Sequence, residues 1–112
     1  MNLTARDQGL WRVVTVAGDR IDAAAAIAFK DAMRGLTDGA EGAVILDLGA
    51  VDFIDSSGLG AIVAAMKQLG GEQRLHLAAL RPNVDRVFRL TRMDSVFPIH
   101  ASVAQAMDHD DR

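Results

Sequence analysis

Between Val51 and Gly60 the sequence reads VDFIDSSGLG, and its residue types and spacing could do chemistry. Asp55 precedes two hydroxyls, Ser56 and Ser57, and two glycines, Gly58 and Gly60, flank Leu59. The segment leads from a short apolar run into a helical pattern, so the hydroxyls fall at a helix start. Backbone N–H groups there lack intrahelical partners and the helix dipole favours negative charge. A serine can therefore cap the helix, or the same donors can hold a phosphate. Asp55, Ser56 or Ser57 could equally do no more than cap. Gly58 and Gly60 would let another surface approach the backbone closely.

Several sharper chemistries are excluded by the letters. Gly58-Leu59-Gly60 is followed by Val63 where a dinucleotide fingerprint needs its third glycine, and no Lys-Ser/Thr pair completes a phosphate-binding P-loop. Neither serine has glycine two residues away on both sides, so the segment is not a nucleophile elbow. A serine hydrolase would also need a base, and His76, His100 and His109 have no spacing that ties them to Ser56; they read as scattered polar or loop residues. They show no paired metal-ligand spacing, and with no cysteine the common structural zinc frames are excluded, so neither a metal nor a cofactor is expected. Asp22 and Asp47 could be imagined as an acid–base pair, but Asp22 is more simply the N-cap of the first helix.

The 112 residues amount to one ordinary domain. Half are apolar, and with alanine set aside about a third of the chain remains as larger apolar side chains, enough for one core. Fifteen acidic and 12 basic residues give a formal charge of −3, which opposes nucleic acid or an anionic membrane as partner. Arg81, Arg86, Arg89 and Arg92, with Asp85 and Asp94 among them, read as a solvated face. Met1 to Gln8 lacks a basic segment followed by an apolar run, and no apolar stretch approaches a membrane span. With no cysteine, the expectation is a soluble cytoplasmic protein.

The elements that must position this segment alternate. Leu10 to Ala17 reads as a strand with Trp11, Val13, Thr15 and Ala17 on one face, and Leu3 to Arg6 as a short partner. Asp22 precedes a helix from about Ala23 to Leu36, its stripe Ala25, Phe29, Ala32, Met33 and Leu36, ended by Thr37-Asp38-Gly39. Ala43 to Leu48 is a strand buried on both faces, Ser57 to Leu69 a helix stopped by Gly70-Gly71, and Arg74 to Leu80 an alternating strand. Asn83 can cap a third helix with Val84, Val87, Phe88 and Thr91 inward, Val96 to Ile99 reads as a last strand, and Ser102 with Gln105 has capping-box spacing. Asp108 to Arg112 is expected to fray.

Alternating strands and helices imply a single α/β domain over residues 1–112, with a mixed sheet of four to five strands and about four helices. Opposite the large apolar residues of the second helix lie Ala61, Ala64 and Ala65, a flat face that could pack under the protein's own loops or receive another protein.

The hexad Asp55-Ser56-Ser57-Gly58-Leu59-Gly60 resembles that of the STAS domain, specifically the small bacterial anti-sigma factor antagonists. The resemblance also takes in Gly18 to Ala26, Val44 to Leu48, Lys67 to Gly71 and Arg81-Pro82 to Phe97, in order over nearly the whole chain. It implies a non-enzymatic domain that is itself a phosphorylation substrate in a partner switch: a serine-kinase anti-sigma factor binds and phosphorylates it, and a metal-dependent serine phosphatase restores it. The implied phosphoacceptor is Ser56, with Ser57 the weaker candidate. Asp22, Asp55 and the stretch Ser56, Ser57, Gly58, Leu59 and Gly60 would form the partner surface. Three residues separate Gly18 from Asp22, where family members usually have one or two, so the sequence leaves the position of Asp22 relative to Ser56 open. The alternative is a STAS scaffold, or a small nucleotide- or lipid-transport subunit, without a phosphoswitch.

Overall fold

A computed structural model of the chain describes residues 1–71 and 74–108. Strands β1 (Leu3–Gln8) and β2 (Trp11–Val16) form an antiparallel hairpin, from which the chain enters a two-residue strand β3 (Arg20–Ile21) and helix α1 (Ala23–Thr37). There follow β4 (Val44–Asp47), β5 (Phe53–Ile54), α2 (Ser56–Leu69), β6 (Leu75–Ala78), α3 (Pro82–Leu90), a 3-10 turn (Met93–Ser95), β7 (Ile99–His100) and α4 (Val103–Met107). The main sheet has the order β1-β2-β4-β6-β7, parallel throughout except for the hairpin, and β3 pairs with β5 in a separate parallel ribbon. The mixed five-stranded sheet and four helices are those expected of the sequence.

The two faces of the sheet are covered unequally. Val14, Val16, Val44, Leu46, Leu75 and Leu77 meet Phe29 and Met33 of α1, Ile62 and Met66 of α2 and Val84 and Phe88 of α3. Phe88 and Phe97 stand edge to face with centroids 5.9 Å apart. Each such buried side chain contributes about 2 kcal/mol relative to leaving it in water. On the other face, Val13, Ile45 and Ala78 pack beneath Ala106, with Trp11, Val103 and Met107 at the margin. The sheet ends on β1, where Thr4 to Gln8 are all exposed.

The structure corrects five expectations. Asn83 lies inside the first turn of α3; Arg81 holds the cap position without a side-chain hydrogen bond, and Pro82 opens the helix, where its missing N–H costs nothing. Thr91 does not face inward: it is exposed and its hydroxyl donates to the Val87 carbonyl at 2.6 Å. The last strand is Ile99–His100, because Phe97 is held by the turn through its N–H to Met93 O. Ala61 and Ala65 are buried in the main core, at 2% and 4% exposure, and Ala64 is half-buried, so these alanines do not form an open face. His76 and His100 are strand residues, His76 fully buried, with Nδ1 of His76 2.9 Å from Nε2 of His100. Trp11 meets the His76 ring edge on, with centroids 5.1 Å apart. His109, and the fraying expected beyond Asp108, lie outside the described residues.

Candidate functional site

Asp55, in extended conformation, is the N-cap of α2: its Oδ1 accepts from the N–H of Gly58 at 2.9 Å. Asp22 caps α1 in the same way, through Oδ1 and the N–H of Ala25 at 3.1 Å. The cap role therefore falls to Asp55, leaving Ser56 and Ser57 as the first two residues of α2, both exposed. Neither serine hydroxyl is hydrogen bonded to a described residue. α2 ends at Gly70, whose left-handed φ of 103° turns its N–H back to Lys67 O.

The β3–β5 ribbon brings the two helix starts together. Its register pairs Arg20 with Phe53 and Ile21 with Ile54, so Asp22 and Asp55 leave it side by side. Asp55 completes the junction: its N–H points to Ile21 O at 3.4 Å, and its Oδ2 accepts from the N–H of Ala23 at 3.1 Å. One carboxylate thus satisfies the starts of both helices. The long spacer from Gly18 to Asp22 is absorbed by β3, and Asp22 sits beside the residue that precedes Ser56. Gly58 permits the approach, since a methyl group there would fall into the Ile21 carbonyl. The surface that comes close to Gly58 is therefore the chain's own; Gly58 is buried, whereas nothing lies within 4 Å of the position a side chain would take at the exposed Gly60. Leu59 is half-buried and packs on the core.

Arg20 and Phe53 were not singled out by their sequence pattern, because a two-residue strand has too short a period to be read. Arg20 Nε donates to Asp22 Oδ2 at 2.9 Å, and its guanidinium lies 4.7 Å from the Phe53 ring centroid. Burial alone would raise the Asp22 pKa, but the hydrogen bond from Arg20, the N–H of Ala25 and the charge of Arg20 together hold it below the ordinary 3.8. Asp7 is lowered likewise, first by the hydrogen bond from Arg12, against a burial effect, and then by its charge. Both groups bind protons less readily folded than unfolded, so their contribution is fully present above about pH 4 and is lost as pH falls through the lowered values. Urea midpoints measured across that range should be flat above it and drop below it, with a shallower drop in Asp22→Asn.

Asp47 is engaged elsewhere, its Oδ1 accepting from Gly49 N–H at 2.9 Å to shape the loop after β4, so the imagined pair with Asp22 does not form. Arg89 pairs with Asp85 and Asp94 on the outside of α3 as expected of a solvated face, and Arg81 donates to Gly49 O at 2.8 Å. Among the described residues no group of three metal-ligating side chains occurs, and no helix is long and apolar enough to cross a membrane.

The family model for the STAS domain matches residues 2–106. The chain belongs to the STAS domain family. Among STAS proteins it is 41% identical over 63 residues to BtrV of Bordetella bronchiseptica, which carries the designation anti-sigma factor antagonist. That match covers 55% of this chain and 54% of BtrV, so the matched segment spans about half of the relative. An anti-sigma factor antagonist from Mycobacterium paratuberculosis superposes with a TM-score of 0.85 at 30% identity, over 96% of this chain and 91% of that one. The fold is also that of the Bacillus protein SpoIIAA, in its unphosphorylated form (TM-score 0.71, 20% identity, 96% and 94% coverage) and in its phosphorylated form (0.67, 21%, 96% and 97%).

Proposed function

We propose that this STAS domain is a cytoplasmic anti-sigma factor antagonist in a partner switch, non-enzymatic and controlled by phosphorylation of Ser56. The observation that carries the reading is the exposed hydroxyl of Ser56, with no hydrogen bond to any described residue, directly after the aspartate that ties two helix starts together. The family relatives designated anti-sigma factor antagonists support it, as does SpoIIAA, whose fold accommodates a phosphorylated form. A serine-kinase anti-sigma factor would bind Asp22, Asp55, Ser56, Ser57, Leu59 and Gly60, with Gly58 shaping the surface from beneath. In the transfer, Ser56 Oγ forms a bond to the γ-phosphorus of ATP as the bond to the bridging oxygen breaks. The hydroxyl proton goes to a base on the kinase and ADP leaves. A metal-dependent serine phosphatase would reverse the state by hydrolysis. This chain supplies the acceptor and the surface, and the catalytic groups belong to its partners.

The test is intact mass with phosphosite mapping after incubation with ATP and the serine kinases encoded beside the gene. The wild type and Ser57→Ala should gain one phosphate at residue 56, and Ser56→Ala none. Undiminished labelling of Ser56→Ala would remove Ser56 as acceptor. A kinase that binds without transferring phosphate would favour the constitutive scaffold or transport subunit.

A further inference from the structure

On Asp22, which leaves the β3–β5 ribbon beside Asp55, rests a cation whose hydrogen-bonding capacity is largely unspent. Arg20 uses only Nε, on Asp22; among the described residues its two terminal nitrogens make no hydrogen bond. Just over half of its side chain is exposed, and the Phe53 ring beneath it supports the guanidinium without consuming a donor. The parallel register of β3 and β5 sets Asp22 against Asp55, and Ser56 follows Asp55 directly, so the carboxylate that Arg20 holds stands beside the residue preceding Ser56. The backbone donors that a phosphate at a helix start would attract are partly spent: the N–H groups of Gly58 and Ala23 both go to Asp55.

From this geometry we infer that Arg20 is the counter-ion of phosphorylated Ser56: its guanidinium rests on Asp22 in the unmodified protein and moves to the phosphate, releasing the Asp22 carboxylate. A phosphate dianion with three acceptor oxygens outcompetes a single carboxylate oxygen for a planar, forked donor, because it takes two parallel bonds and carries more charge. Phosphorylation then changes the partner face twice, by adding the phosphate and by unmasking Asp22. The inference rests on Ser56 as the modified residue, but its test needs no kinase.

Phosphoserine is incorporated at position 56 during translation, in the wild-type background and with Arg20→Gln or Arg20→Lys, and the second ionisation of the phosphate is followed by phosphorus NMR. An adjacent cation favours the dianion, so Arg20→Gln should raise that pKa by about 0.5 unit at low ionic strength. The difference should shrink with added salt, and Arg20→Lys should fall between the two. Carbon NMR of the Asp22 carboxyl supplies the second readout: its pKa should rise on phosphorylation of the wild type and be already raised in unphosphorylated Arg20→Gln. An unchanged phosphate pKa in an Arg20→Gln protein that still unfolds cooperatively overturns the assignment. Failure of every kinase to label Ser56 would overturn the switch reading instead and leave this measurement intact.

Discussion

Gly58→Ala should destabilise the domain by about 2–3 kcal/mol, read as a lower urea midpoint at unchanged slope. Alanine is the better helix former by about 1 kcal/mol, so propensity alone argues the other way. The clash decides the sign. The added methyl falls into the Ile21 carbonyl oxygen and within 2.9 Å of the Ile21 carbonyl carbon and Ile54 Cγ1. Neither can yield cheaply: Ile21 and Ile54 are fully or nearly fully buried, and the Ile21 carbonyl is tied to the Asp55 N–H. Gly60→Ala, two residues along the same helix with open space around it, isolates the propensity effect and should stabilise by about 0.5–1 kcal/mol. A Gly58→Ala protein as stable as the wild type would show that the two helix starts are not held together as described.

The second large effect is on binding. Phosphorylated Ser56 should lower affinity for the kinase partner about 30- to several-thousand-fold, the equivalent of about 2–5 kcal/mol for an interface that must bury the phosphate charge that one guanidinium does not neutralise. The unfolding midpoint should change little, because the phosphate adds about −1.5 to −2 charges at an exposed position where the α2 dipole favours them. The measurement is titration of the partner with the domain carrying encoded phosphoserine, against the unmodified domain, with thermal unfolding of both. Equal affinities would end the switch reading. Parallel losses of affinity and of fold would assign the effect to stability.

What could be read in the sequence was local. Asp22 stands directly before a helical pattern, and its cap follows from the chemistry of a short acceptor three residues ahead of an unpaired N–H, whereas Asp55, Ser56 and Ser57 are equally eligible by type at the start of the second helix. Ala43 to Leu48, short, apolar at nearly every position and bounded by glycines, reads as a strand covered on both faces, and β4 occupies Val44–Asp47 of it. What could not be read was the packing of remote segments. Asn83 is a good cap by type, but Pro82 fixes the start of α3 one residue earlier. Ala61 and Ala65 are buried in the main core, a placement indistinguishable in sequence from a bare alanine face. His76 is polar by type and fully buried by position. The site itself depends on a ribbon joining residues 20–21 to 53–54, and no periodicity exists in two residues to announce it.

The sheet's two ends bear on whether the domain can grow by adding strands. An edge strand is a template on which another chain can polymerise, backbone to backbone. β1 is six residues long and open, but Arg6 and Asp7 stand in its second half and, being successive strand residues, project to opposite faces, so an incoming strand would strip ions of water on both faces at once. β7 guards the opposite edge by brevity, offering two residues before the chain turns into α4. Strand addition is thus discouraged at both margins, so backbone-to-backbone growth has no ready template on the main sheet, and on the proposed reading recognition at the starts of α1 and α2 would run through side chains and a removable charge.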